Sequence, residues 1–121
     1  MKRSKSPPTH IKLLNLLGAI RELSPFDMLS AEEDELLRNL LVRWHDAKDL
    51  SVSDIMSGMV GVSAATAYRR IISLRDKGLI ELRVDQTDKR VKFVDPTRLA
   101  VDYGNRVNMA LAELVGESRS A

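Results

Sequence analysis

A chain of 121 residues, 44% hydrophobic, 4% aromatic and 30% charged, is sized for one helix-rich domain with a single core. It has no cysteine, which excludes a disulfide framework, a thiolate zinc site and a cysteine nucleophile, and which fits a cytoplasmic protein. A net charge of +2 does not by itself mark a nucleic-acid binder, and no apolar run has the length of a membrane span or the core of a signal peptide.

Residues 1–8, MKRSKSPP, are basic, polar and proline-bearing, the composition of a flexible tail, with a DNA-touching arm as the less favoured alternative. Thr9 is the expected cap of a helix from Ile11 to Leu23. There Ile11, Leu13, Leu14, Leu16, Leu17, Ala19, Ile20 and Leu23 leave few polar gaps. A helix apolar almost all round needs cover on more than one side, and in so small a chain a partner subunit is the expected second surface. Ser24-Pro25 interrupts the pattern.

Ser30 opens a second helix, with Glu33 three residues on in a capping-box arrangement. The acidic run Glu32 to Glu35 reads as a solvated first turn favoured by the helix dipole, not as a metal site. Leu36, Leu37, Leu40, Leu41 and Trp44 make the core stripe, with Trp44 in the core or at a subunit interface. These N-terminal helices occupy residues 9–49.

The stretch 50–94 has a different grammar. Leu50 to Val52 is expected to be a short strand. Ser53 is the expected cap of a short helix whose apolar face is Ile55, Met56, Met59 and Val60, with Asp54 in its first turn. Gly61 allows a tight turn, and Ser63 caps a second helix that ends at Lys77-Gly78. At 100° per residue, Ala67, Ile71, Leu74 and Gly78 share the buried face. Ala65, Tyr68, Arg69 and Ile72 share the opposite one, flanked by Arg70. Small residues near the start and an aromatic-cationic middle suit a helix that approaches a DNA groove. Taken alone, Arg69 and Arg70 fit solvated charges, and Tyr68 fits a packed core residue equally well.

Two alternating runs follow, Leu79 to Val84 and Arg90 to Val94, joined by Asp85-Gln86-Thr87-Asp88-Lys89. They read as a hairpin on which Arg83, Lys89, Arg90 and Lys92 gather outward beside the second helix. From Ser51 to Val94 there are eight cations against five acids, whereas Ser24 to Leu50 carries seven acids against three cations. A basic head on an acidic-to-neutral body orients toward phosphate.

After Asp95-Pro96, Thr97 caps a last helix over residues 97–115 with the stripe Leu99, Tyr103, Val107, Ala110, Leu111 and Leu114. It is expected to pack with the first helix in a two-fold dimer. Residues 116–121 read as a tail. The winged-helix domain as a whole is expected over 9–115.

Helix, turn, helix and hairpin in this order resemble the winged helix-turn-helix of MarR-type transcriptional regulators. In that family a helix-turn-helix of roughly ELAxxLGxSxxTxxRxxxxLxxxGLI precedes a wing of the form DxRDxR. Asp54-Ile55, Gly61-Val62-Ser63, Thr66, Arg69, Leu74 and Gly78-Leu79-Ile80 occupy matching positions, as do Asp85, Asp88 and Arg90 in the wing. Three features depart from the pattern. There is one extra residue before the Gly-x-Ser turn, Thr87 stands where the wing-tip arginine belongs, and the C-terminal part is short.

The resemblance implies a mainly α fold with a small β-hairpin wing, and terminal helices that pair two copies. It implies double-stranded DNA as partner and a small-molecule effector as a compatible one. Base reading falls to Ala65, Thr66, Tyr68 and Arg69, and backbone holding to Ser63, Arg70, Lys89, Arg90 and Lys92. No cofactor, metal or enzyme activity is expected: Gly58 and Gly61 lack the lysine of a phosphate loop, and His10 and His45 stand alone. The alternative is a winged helix used for protein–protein interaction, with Tyr68 and Ile72 as anchors.

Overall fold

The structure, a computed structural model, describes residues 7–23, 26–46 and 49–120, the side chains of 117–120 excepted. Met1 to Ser6, Ser24-Pro25 and the end of the expected C-terminal tail, Ala121, lie outside the described residues. Elements follow in the order α1 (Thr9–Arg21), a 3₁₀ turn (Phe26–Met28), α2 (Ala31–Asp46), α3 (Val52–Ser57), α4 (Ala64–Asp76), β1 (Ile80–Val84), β2 (Lys92–Pro96) and α5 (Arg98–Ser120). They divide into two compact units, 29–102 and a second made of 1–28 with 103–121.

The 29–102 unit holds the expected helix-turn-helix and wing. Its core is Leu36, Leu37 and Leu40 of α2, Ile55 of α3, Ala67, Ile71 and Leu74 of α4, and Leu79, Ile80 and Val94 of the hairpin. The buried face of α4 is thus the one its spacing predicts, with the exposed Gly78 just past its end. Ser63 caps α4, its Oγ accepting the Thr66 amide at 3.1 Å. Gly78 ends the helix at φ +82°, and Gly61 makes the preceding turn at φ +77°; both take the left-handed conformation that glycine adopts without a Cβ clash.

Several expectations require correction. The cap of α3 is Ser51, not Ser53: Ser51 Oγ accepts the Asp54 amide at 3.0 Å. The helix closes at Gly58, so Met59 and Val60 leave the helical phase, and Val60 stands 91% exposed in the turn. The third strand shrinks to a bridge between Ser51 and Phe93, with the Val94 amide on the Leu50 carbonyl at 2.7 Å. Ser51 serves as a cap and Val52 is already helical, so nothing remains to extend the ladder.

The hairpin pairs antiparallel, Leu82 opposite Val94, Arg83 opposite Phe93 and Val84 opposite Lys92. Trp44 ties α2 to it, its indole Nε1 donating to the Val94 carbonyl at 2.9 Å. Thr97 caps α5 as expected: its Oγ1 accepts the Ala100 amide at 3.3 Å and donates to the Gly78 carbonyl at 2.7 Å.

In the other unit α1 begins at Thr9, and Pro8 occupies the cap position without a side-chain bond. The extended Pro8 supplies its carbonyl to the amides of Ile11 and Lys12, so Thr9 is already helical and does not cap. Ile20 is the buried residue of α1; Leu14 is 61% exposed and Leu17 is also open. Phe26 packs edge-on against Tyr103, centroids 4.7 Å apart. α5 continues through Gly116 to Ser120, past the expected start of the tail. Of its expected stripe Tyr103 and Leu114 are buried, while Leu111 is exposed.

Candidate nucleic-acid interface

Beside α4 the 29–102 unit has a broad open groove of about 1010 Å³, walled by α3 and the start of α4 on one side and by the wing on the other. Ser53, Ser57, Ala64 and Tyr68 contribute from the helices; Asp88, Arg90 and Lys92 contribute from the wing. Met56, Met59, Val62 and Val91 give it an apolar lining. Tyr68 is 40% exposed, which rules out the packed-core reading of that residue. The groove therefore brings an aromatic hydroxyl from the expected recognition helix together with two wing cations.

The remaining candidates are placed differently. Thr66, Arg69 and Arg70 line a smaller depression of about 240 Å³ with Ser30, Glu32, Glu33 and Ser73, next to the start of α2. Tyr68 and Arg69, grouped on one face by the helical projection, instead serve separate concavities, because the wing lies beside one and the start of α2 beside the other. Ser63 and Ala65 are exposed at the start of α4, and Lys89 is exposed in the wing loop. Ser63 Oγ also donates to Thr66 Oγ1 at 3.0 Å, so these two hydroxyls form one polar corner at the helix N-terminus.

The wing loop is ordered by its aspartates. Asp85 accepts the Asp88 amide at 3.1 Å, and Asp88 accepts the Arg90 amide at 3.0 Å. The Arg90 guanidinium is gripped by both oxygens of Asp88 while remaining 90% exposed. This pairing lowers the Asp88 pKa, through the Arg90 side chain first and the Arg90 amide second, and raises that of Arg90.

Arg83 does not join the outward cations. Across a strand of period two, its partner is Phe93, whereas Lys92 shares the face of Leu82, Val84 and Val94. Arg83 lies 4.8 Å from the centre of the Phe93 ring, bonded to Asp95 at 2.8 Å and Asp49 at 2.7 Å. The hydrogen bonds to Asp95 and then Asp49 raise its pKa further above the usual arginine range. It ties β1 to β2 and to the segment that precedes α3.

The acidic start of α2 is not wholly solvated either. Glu33 is 8% exposed, and its carboxylate accepts the Ser30 amide at 2.9 Å together with Ser73 Oγ and Lys77 Nζ from α4. Burial pushes its pKa up, but the bonds from Lys77, Ser73 and Ser30 and the Lys77 charge outweigh this and hold it at about 2. Sequence reasoning gives Ser53 only a capping role and Ser57 none, and misses their place in the groove. Their four-residue spacing puts both on one face of α3, and that spacing was a readable signal.

Among the described residues no three His, Asp or Glu side chains converge as a metal site, and no helix is long and apolar enough to cross a membrane. No protein-family model matches the chain, and no curated protein matches its sequence. Solved structures do match in shape. The S. aureus MepR–DNA complex is 20% identical, covering 92% of this chain and 75% of that one, with a TM-score of 0.64. The Streptococcus agalactiae heme sensor PefR, solved in complex with heme, is 21% identical over 92% of this chain and 77% of that one, with a TM-score of 0.60. A Bacillus cereus protein described as a MarR-like transcription regulator is 17% identical over 93% and 74%, with a TM-score of 0.56. The helix-turn-helix, the paired wing and these likenesses together give the chain the winged-helix fold of the MarR-like regulators.

Proposed function

We propose that this chain is a sequence-specific, double-stranded DNA-binding transcriptional regulator that acts as a homodimer, and not an enzyme. The observation that carries the reading is the groove shared by Tyr68, Arg90 and Lys92. In a winged helix on duplex DNA, α4 enters the major groove and the wing reaches the neighbouring backbone or minor groove. One sugar-phosphate strand then passes between them, and here that passage carries two cations and the Ser53 and Ser57 hydroxyls.

On this reading Ala65, Thr66, Tyr68 and Arg69 meet base edges. Ser63, Arg70, Lys89, Arg90 and Lys92 hold phosphates, and Arg90 takes the wing-tip role that Thr87 cannot fill. The DNA complex of the similarly folded MepR supports the partner class. Pairing of two copies is supported by the exposed apolar residues Leu14, Leu17, Met109 and Val115 of the unit that holds α1 and most of α5. PefR with its bound heme supports a small-molecule effector as a compatible layer of control. A reducing cytoplasm is the proposed location, on the absence of cysteine.

Selection of bound duplexes from a random pool tests this reading. The expected product is an inverted repeat whose half-site centres lie about 34 Å apart, or a multiple of that. Failure to enrich any sequence would remove DNA reading and leave the protein-interaction alternative.

A further inference from the structure

Glu33 is a buried acid outside the proposed DNA contacts, and it joins two helices. It occupies the third position of the α2 capping box, where it accepts the Ser30 amide. Its other bonds leave α2 altogether. Ser73 and Lys77, which it receives, lie 40 and 44 residues away and one turn apart, Ser73 in the last turn of α4 and Lys77 at its C-cap. Ser73 in turn sits one turn beyond Arg69 and Arg70, and all three line the same depression as Glu33.

A single carboxylate thus holds the start of a sixteen-residue helix and the far end of the helix proposed to read DNA. Packing alone does not require this, because a buried ion pair is commonly no more stabilising than apolar residues of the same volume. What it supplies is direction: the bonds form in one orientation of α4 against α2 only. Rotation or tilt of α4 would carry Tyr68 away from Arg90 and Lys92 across the groove.

We propose that Glu33, acting through Ser73 and Lys77, is a positioning residue that fixes the pitch of α4 for base reading. The proposal rests on the DNA-binding reading above for its functional consequence, but its structural content does not. Glu33→Gln is the informative variant, since glutamine retains the capping-box acceptor while removing the charge that holds Lys77. Lys77→Met is its reciprocal, keeping the length of the stem.

Three proteins, E33Q, K77M and the double variant, are compared with wild type on the selected duplex and on a random duplex by fluorescence anisotropy. Active fractions are fixed by stoichiometric titration. Backbone residual dipolar couplings without DNA report the angle between α2 and α4. The expected result for E33Q is about tenfold weaker binding to the selected duplex, the scale of one lost base contact. Random-duplex affinity stays within about twofold and stoichiometry is full. The double variant is no worse than E33Q, and the couplings report a changed angle. Folded E33Q with wild-type affinity, equal losses on both duplexes, or an unchanged angle would overturn the proposal. If wild type binds no duplex at all, the regulator reading fails separately. The couplings then decide alone: a changed angle upholds the positioning role and an unchanged one ends it.

Discussion

Arg90 is gripped by both oxygens of Asp88, Nε at 3.0 Å and one terminal nitrogen at 3.1 Å, three residues past Thr87 in the wing loop. The same aspartate accepts the Arg90 amide, so backbone and side chain are set together. Asp88 therefore aims Arg90 while placing a negative charge in the groove proposed for phosphate. Asp88→Asn separates the two effects, because asparagine retains an acceptor for the amide. It should strengthen random-duplex binding by about fivefold, the size of one charge–charge contact of about 1 kcal/mol in water. Discrimination between selected and random duplex should fall, with the unfolding midpoint little changed, since the pair is exposed. Paired anisotropy titrations and a thermal melt check this.

Arg69 and Lys92 should fail in different ways. Arg69 lies on α4 beside the depression at the start of α2, while Lys92 lies on the wing wall of the larger groove. Arg69→Ala should cost about 1–3 kcal/mol on the selected site and relax the preference at one base pair. Lys92→Ala should weaken all duplexes alike and flatten the salt slope by about one unit. Equal losses for Arg69→Ala on selected and random duplex would contradict its assignment to base reading.

Glu33 should leave a mark on stability against pH. Its pKa falls from 4.5 to about 2 on folding, so the folded state favours the ionised form. The stabilisation is then fully present above pH 4.5 and is lost as pH falls toward 2. At neutral pH, Glu33→Gln should lower the unfolding free energy by about 1.5–3 kcal/mol, the range for hydrogen bonds to a charged group. Urea unfolding across that window should show the difference between wild type and variant shrinking as the solution is acidified.

Gly78 ends α4 at φ +82° with nothing within 4 Å of where a Cβ would stand. Gly78→Ala should therefore cost about 1–2 kcal/mol from backbone strain alone. Urea titration measures it; a neutral or stabilising substitution would show that the chain relaxes out of the left-handed conformation at no cost.

What the sequence revealed of this molecule follows from how local each signal was. α4 was legible at both ends because Ser63, Gly78 and the spacing of Ala67, Ile71 and Leu74 all act within one or two turns. The start of α3 was misread because Ser51 and Ser53 both suit a cap; the Asp54 amide, three residues after Ser51, decided it. Arg83 and Glu33 were read as surface charges because their partners lie far off in sequence: Asp49 is 34 residues from Arg83, and Lys77 is 44 from Glu33. Composition gives no hint of such pairs. The helical projection groups Tyr68 with Arg69, and their separation needs what packs beside α4: the wing on the side of Tyr68 and the start of α2 on the side of Arg69.

The central claim is that the groove between α4 and the wing holds a phosphate strand. Its most direct measurement is the affinity of the intact protein for its selected duplex as a function of salt, run beside a double variant lacking the Arg90 and Lys92 charges. The account predicts a linear fall of log affinity with log salt for the wild type, and a slope shallower by about two for the double variant. Identical slopes for the two proteins would place the phosphate contacts elsewhere and contradict the account.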